Sequence, residues 1–150
     1  MAKENNTNRG LANITNANRY NTILPFWKTG AVRYLSYSSA PGSIALDADS
    51  DTLYVIDFTA DIVGDFEVNF EVTNLDPNIS KSLSVLIRNN SGQVFTFGAL
   101  GNGTEDDFWY CVSADFSGDT IADGVYGLIG IVTIDGSTVL ASYQELAQSS

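Results

Sequence analysis

The segment GVYGLIGIVTIDGSTVLASYQE, residues 124–145, places two apolar runs on either side of the pair Asp135-Gly136. Such a pair favours a two-residue type I′ turn, because both of its central residues need positive φ. A loop of that length sets the register, so we expect Val132 opposite Val139 and Leu128 opposite Tyr143. The first strand is apolar on both faces, which is typical of a central strand covered on each side. These residues therefore predict a β-hairpin inside a sheet.

Further strands are predicted by short runs in which apolar and polar residues alternate, the period of a half-buried β-strand. The clearest run is DFEVNFEVTN, residues 65–74, whose inward side chains are expected to be Phe66, Val68, Phe70 and Val72. Other strands are expected at residues 32–37, 52–59, 83–87, 94–99 and 108–114. The turn Asn89-Asn90-Ser91-Gly92 predicts that the strand from Val94 returns antiparallel to the strand before it.

This strand pattern predicts an all-β fold. About eight strands follow one another at spacings of roughly 8 to 14 residues, and no segment predicts a helix longer than one turn. One hundred and fifty residues suit one domain with its own core. We therefore expect a two-sheet antiparallel β-sandwich, immunoglobulin-like or jelly-roll, with an extended N-terminal arm.

Charge divides the chain into two parts. The net charge is −11, but residues 1–39, the arm, hold five basic residues against one acid, a net charge of +4. Residues 40–150, the body, hold two basic residues against seventeen acids, a net charge of −15. Such a division is typical of a tail that docks on another molecule while the body stays soluble and resists self-association.

The arm is expected to order only against a partner. Residues 1–22 contain seven Asn and no periodicity, so they bury too little apolar area to offset the entropy lost on ordering. The apolar cluster Ile23-Leu24-Pro25-Phe26-Trp27-Lys28 follows. One alternative is that this cluster folds back onto one end of its own domain. The other, which we favour, is that another subunit orders the arm.

Residues for catalysis or metal binding are scarce. The chain has no histidine, the commonest general base and metal ligand. Cys111 lies in the run WYCV and is expected to be a buried thiol rather than a nucleophile. The segment Asp47-Ala-Asp49-Ser-Asp51 resembles the start of a calcium loop, but Thr52 and Phe58 stand where such a loop needs Gly and Glu. We expect a solvated turn there, and no enzyme, cofactor or metal site.

Three further clusters suggest weaker alternatives. Acidic groups at Asp115, Asp119 and Asp123, and at Glu105-Asp106-Asp107, offer carboxylates for a cation or for glycoside hydrolysis, but eighteen acids cluster by chance. The aromatic residues Trp27, Trp109 and Tyr110 suggest a sugar-stacking platform. A carbohydrate-binding module is therefore kept as an alternative function.

Nucleic acid and membrane are not expected as direct partners. The charge of the body repels nucleic acid, and the cations of the arm are scattered rather than clustered. No apolar run approaches the roughly 20 residues that span a bilayer, and no signal peptide is recognisable. We expect synthesis in a host cytoplasm.

The closing hairpin and the arm resemble segments of tailed-phage virion proteins. The hairpin runs from Gly124-Val125-Tyr126 to Asp135-Gly136-Ser137-Thr138-Val139-Leu140-Ala141-Ser142, and the part of the arm that carries the resemblance is its Asn-rich, basic segment, residues 1–30. Head decoration proteins, head-fibre anchors and baseplate adaptors are similar in these respects. The resemblance implies a small β-sandwich whose arm threads between capsid or tail subunits. It implies no functional residue.

The sequence therefore predicts a non-enzymatic phage virion structural protein, a capsid decoration or auxiliary protein anchored to the shell by its arm. A tail or baseplate adaptor is the alternative within the same class. Its partners are expected to be the major capsid protein or other virion proteins, and a homo-oligomer is left open. Basic residues predicted to pair with partner carboxylates are Arg9, Arg19, Lys28 and Arg33. Residues predicted to fill apolar grooves are Tyr20, Ile23, Leu24, Phe26 and Trp27.

Overall fold

Ten β-strands form two sheets in the computed structural model, which describes residues 31–49, 53–101 and 108–147, without the side chain of Phe108. Sheet A contains six strands in the order β1 (Val32–Tyr37), β3 (Leu53–Phe58), β5 (Lys81–Asn89), β9 (Tyr126–Thr133), β10 (Thr138–Leu146) and β7 (Phe108–Cys111). Sheet B contains four strands in the order β2 (Ser43–Asp47), β4 (Phe66–Thr73), β6 (Phe95–Leu100) and β8 (Thr120–Ile121). Within these ranges the chain has no helix.

The chain alternates between the two sheets, which makes the fold a β-solenoid of about 3 turns. β1, β3 and β5 pair in parallel in sheet A, and β2, β4 and β6 pair in parallel in sheet B. Each turn therefore contributes one strand to each sheet. After the third turn, β8 pairs antiparallel with β6 and β9 pairs antiparallel with β5.

The chain is all-β, as its strand pattern predicts, but the prediction of a two-sheet antiparallel β-sandwich is wrong. Alternation of apolar and polar residues shows which side chains point inward, and it is the same for parallel and antiparallel neighbours. The turns of the solenoid also differ in length. Val32 pairs with Leu53, 21 residues on, and Leu53 pairs with Ser84, 31 residues on. Turns of unequal length show no repeat in the sequence.

The corner between β5 and β6 explains one part of this error. The sequence predicts an antiparallel return from Val94, whereas β6 lies in the other sheet, parallel to β4. The fully buried Asn89 organises the corner: its Nδ2 donates to the carbonyl oxygens of Gln93 at 2.9 Å and of Ile121 at 2.8 Å. Its Oδ1 accepts from the Ser91 hydroxyl at 2.6 Å. In a tight hairpin, backbone groups at this point would pair with the neighbouring strand. Here the Asn89 side chain provides hydrogen bonds to the buried polar groups instead.

The closing hairpin is confirmed, but its register differs by one residue from the predicted one. β9 and β10 pair antiparallel with Val139 opposite Thr133 and Leu140 opposite Val132. The Asp135 carboxylate accepts backbone N–H groups of Ser137 at 2.8 Å and of Thr138 at 2.6 Å, which closes a loop of three residues. Neither Asp135 nor the following glycine adopts the positive φ of a type I′ turn. The same N–H groups lower the pKa of Asp135.

The core between the sheets is built from the inward side chains of these strands. The predicted inward set of β4 is confirmed, because Phe66, Val68, Phe70 and Val72 are all buried. Phe95 on β6 lies at the centre of an aromatic cluster. The ring centroid of Phe95 lies close to those of four other phenylalanines. The distances are 4.9 Å to Phe97, 5.2 Å to Phe58, 5.6 Å to Phe66 and 6.3 Å to Phe70.

Tyr143 on β10 places a hydroxyl group inside this packing. Its ring packs edge-on against Phe97 at 4.9 Å and lies 5.5 Å from the ring of Phe116. A side chain at Gly127 would place a Cβ only 2.6 Å from the Tyr143 ring, so the glycine makes room for it. Among the residues described, the buried Tyr143 hydroxyl has no hydrogen-bond partner. Burial raises the pKa of Tyr143 to about 12.

Replacing Tyr143 by Phe is expected to leave the free energy of unfolding unchanged or to raise it by up to about 1 kcal/mol, because an unsatisfied buried hydroxyl is removed. The raised pKa means that, between about pH 10 and 12, the folded state keeps a proton that the unfolded chain has lost. Wild-type stability should therefore fall with rising pH in that window, and less so in Tyr143→Phe. Urea unfolding at pH 7 and pH 11 measures both effects.

The control for this prediction is Tyr34→Phe, at a side chain that is exposed. This variant should keep the wild-type loss of stability at alkaline pH, since the Tyr143 hydroxyl is still present. A loss of more than about 1 kcal/mol in Tyr143→Phe at pH 7 would show that the hydroxyl makes a stabilising hydrogen bond.

Candidate interaction surface

The structure describes one of the nine residues that the sequence predicts to bind a partner. This residue is Arg33, which is exposed on β1 and lies beside Tyr54 of β3 in the register. Residues 32–37, assigned by the sequence to the arm, are therefore a strand of sheet A. The other eight lie outside the described residues: Arg9, Arg19, Tyr20, Ile23, Leu24, Phe26, Trp27 and Lys28.

The turn after β2, where the sequence resembles a calcium loop, is tied to the protein itself. The Asp47 carboxylate accepts from the backbone of Asp49 at 2.9 Å and from the amide of Asn74 at 2.7 Å. Lys81 pairs with the Asp49 carboxylate and donates to the carbonyl of Asn74 at 2.7 Å. The two described carboxylates thus join the end of β2 to the start of β5. Asp51 lies outside the described residues.

The second acidic cluster is divided between separate turns. Asp115 accepts from the backbone of Ser117 at 2.9 Å, whereas Asp123 accepts from the backbone of Gly92 at 2.8 Å. The backbone carbonyl of Asp119 accepts from Phe97. Across the described ranges, no three acidic or cysteine side chains converge as a metal site would require. Glu105-Asp106-Asp107 lie outside those ranges.

Cys111 and Trp109 both pack against the core from β7. Burial raises the pKa of the Cys111 thiol, which favours the protonated and weakly nucleophilic form. Tyr110 points to the opposite face of the same strand and is exposed. Trp109 and Tyr110 therefore do not share a face on which a sugar could stack, and Trp27 lies outside the described residues.

The outward side of sheet A is the surface that the sequence did not predict. We define the outer face of sheet A as the side chains of its strands that point away from the core. Its apolar members are Val32, Tyr34, Leu53, Val55, Leu86, Tyr110, Tyr126, Leu128, Val132, Leu140 and Leu146. Cross-strand pairing brings many of them together. Tyr34, Val55, Leu86 and Leu128 lie side by side across four strands.

Several of these side chains are solvent-exposed. The exposed fractions are 71% for Tyr34, 56% for Tyr110, 42% for Val132 and 38% for Leu128. The prediction that the first strand of the hairpin is covered on each side is therefore wrong for this outer side. Exposed apolar side chains that are grouped on one face of a sheet often mark an interaction surface, although Val55, between Tyr34 and Leu86, is buried.

One ion pair supplies the charge on the outer face of sheet A. Arg88 donates from Nε and Nη2 to the two carboxylate oxygens of Asp57, both at 2.7 Å. This two-bond contact raises the pKa of Arg88. Asp57 and Arg88 are the only charged side chains among the described members of this face, so its net charge is zero.

The outer face of sheet B is different in character. Its described strands present Asp47, Glu67 and Glu71 together with Ser, Asn and Thr side chains. That face is therefore acidic. The two sides of the solenoid therefore offer an acidic surface and a neutral apolar surface.

Comparison with known proteins adds no relative. No protein-family model, curated protein or solved structure matches this chain. In the part of the chain that the structure describes, no helix is long and apolar enough to cross a membrane.

The sequence did contain a signal for the outer face of sheet A. The strands at residues 53–58 and 126–133 carry apolar residues at consecutive positions, so that both of their faces are apolar. Such runs are typical of a strand buried on both sides. For the first strand of the hairpin this signal predicts cover on each side, whereas the described structure leaves Leu128 and Val132 exposed.

Proposed function

We propose that this chain is a non-enzymatic structural protein of a phage virion, a decoration or auxiliary capsid protein that the arm attaches to the shell. The observation that carries this proposal is the division of charge, +4 in residues 1–39 and −15 in residues 40–150. Opposite charges on the two parts suit a body that stays hydrated and an arm that seeks an acidic surface. This division of charge does not depend on the β-sandwich fold that the resemblance to phage virion proteins implied.

The outer face of sheet A supports a role in protein contacts. An enzyme or a sugar-binding module would need polar groups that converge on a ligand. This face instead offers Tyr34, Leu86, Leu128 and Val132 without net charge. Apolar surfaces that carry a satisfied ion pair are suited to another protein.

In this proposal the arm supplies the attachment. Tyr20, Ile23, Leu24, Phe26 and Trp27 fill apolar grooves of the shell, and each fully desolvated aromatic anchor contributes about 2 kcal/mol or more. Arg9, Arg19, Lys28 and Arg33 pair with shell carboxylates, where exposed rim pairs add less than about 1 kcal/mol each. Ordering the arm costs several kcal/mol, and many copies in a symmetric shell compensate for weak single contacts.

Mass spectrometry of purified particles tests the proposal. Particles made by the genome that encodes this chain should contain it after density-gradient purification. A copy number close to that of the major shell protein supports a decoration role, and a few copies per particle support a tail or baseplate adaptor. Absence of the chain from the particles would refute a virion role.

Deletion of residues 2–30 is expected to reduce incorporation into particles by about tenfold or more, because each lost anchor contributes about 2 kcal/mol. Phe26→Ala with Trp27→Ala should show most of that loss. Asn5→Ala with Asn6→Ala is the matched control and should incorporate normally. Unchanged incorporation of the deletion variant would contradict attachment through the arm.

A further inference from the structure

The outer face of sheet A contains five of the ten large apolar side chains that are exposed in the described residues. The other five are scattered over loops and strand ends. We propose that the outer face of sheet A is the contact through which two copies of this chain form a dimer. This inference takes from the proposed function only that the outer face of sheet A binds a protein. Its test uses the isolated chain.

The distribution of charge makes the outer face of sheet A the side on which two acidic copies repel each other least. Each chain has a net charge of −11, so two copies repel one another over most of their surfaces. The outer face of sheet A is neutral, since Asp57 and Arg88 satisfy each other there. A basic partner would be attracted to the acidic outer face of sheet B instead. The neutral face therefore suits a partner that is itself acidic, and a second copy is such a partner.

The size of the face is sufficient for a stable dimer. Six strands at about 4.8 Å spacing give a width of about 24 Å between β1 and β7, and four rows of outward side chains extend over about 20 Å. Each copy therefore offers about 500 Å², and two copies bury about 1,000 Å² or more, near the lower limit of specific interfaces. Corrugation by the side chains of Tyr34, Leu128 and Tyr110 adds to this area.

The geometry of the sheet also suits self-association. Two copies of one sheet have the same right-handed twist, so their faces pack as two aligned sheets about 10 Å apart. Small side chains on the face leave depressions between the larger ones. Ser84, Gly130 and Ser142 form a row beside the row that contains Leu86 and Leu128. Large side chains of one copy can enter the row of small residues of the other.

Sedimentation velocity of the full-length protein, with a reducing agent to exclude a Cys111 disulfide, tests the proposal. The wild-type protein should sediment as a dimer, with twice the 16.1 kDa mass of the chain. Leu128→Glu combined with Val132→Glu should raise the dimer dissociation constant by about a hundredfold or more, because carboxylates would be buried between the copies. Both positions are exposed, so the variant should fold.

Val63→Glu is the matched control, an equivalent substitution at a side chain that is 95% exposed outside the face. This variant should remain a dimer, and circular dichroism should show that all three proteins are folded. A wild-type protein that is monomeric at every concentration would overturn the proposal and leave the face to another protein. A dimer that survives in Leu128→Glu with Val132→Glu would also overturn it, because the contact would lie elsewhere.

Discussion

Phe95→Ala is expected to lower the free energy of unfolding by about 3 to 5 kcal/mol, because it leaves a cavity inside the aromatic cluster of the core. Phe95 has no exposed surface and contacts the rings of four other phenylalanines. Its strand, β6, also joins the last solenoid turn to β8, where Phe95 lies opposite Ile121. The truncation therefore leaves a cavity between β6 and the strands packed against it, and these strands cannot easily move closer to fill the space.

Urea unfolding at pH 7 measures this loss, and two controls separate the cavity from other effects. Phe95→Leu keeps most of the volume and should cost less than half as much. Ile79→Ala removes an apolar side chain that is already 53% exposed and should change the free energy of unfolding by less than about 1 kcal/mol. A loss below about 1.5 kcal/mol in Phe95→Ala would mean that the surrounding rings collapse into the space.

Asn89→Leu is expected to cost about 3 kcal/mol or more, because it removes the buried side chain that donates to two backbone carbonyl oxygens and accepts from Ser91 at the corner. The carbonyl oxygens of Gln93 and Ile121 would lose the donor that now lies within 2.9 Å of each. The Ser91 hydroxyl, also buried, would lose the acceptor at 2.6 Å. The corner that carries the chain from sheet A to sheet B would then become the weakest part of the third turn.

Asn90→Leu is the matched control, since the neighbouring side chain is exposed. Its backbone N–H donates to Phe58 whatever the side chain, so stability should change by less than about 0.5 kcal/mol. Asn89→Asp adds a test of mechanism. A carboxylate facing the two carbonyl oxygens is disfavoured, so its pKa should rise, and this variant should lose stability as the pH rises above about 4. Equal stability at pH 4 and pH 7 would contradict the buried contacts.

Much of the strand pattern was predictable because it depends on local alternation. The strand at Val32–Tyr37 and the inward face of β4 agree with the prediction. The short strands β2 and β8 were missed. β2, Ser43–Asp47, has only two inward apolar residues, Ile44 and Leu46, and it precedes an acidic run that resembles a loop. Two inward residues are too few to give a distinct period.

The candidate surface was predictable only in part. The basic and apolar residues of the arm are visible in the sequence as a change of charge and composition, and they remain predictions, with Arg33 alone placed on an exposed strand. The outer face of sheet A combines residues from positions 32 to 146, far apart in the chain. Such a surface forms only when the strands take their places beside one another in the sheet, so no local pattern in the sequence identifies it.

The amino-acid sequence alone determined that the chain forms short strands, which residues of β4 point inward, and that the segment at residues 124–145 forms a hairpin. Side-chain alternation and turn residues act over a few positions, and they are sufficient for those features. Only the tertiary structure decided that successive strands enter different sheets and that the hairpin loop has three residues. Those outcomes depend on hydrogen bonds of Asn89 and Asp135 and on packing between distant strands, where alternatives of similar local energy compete.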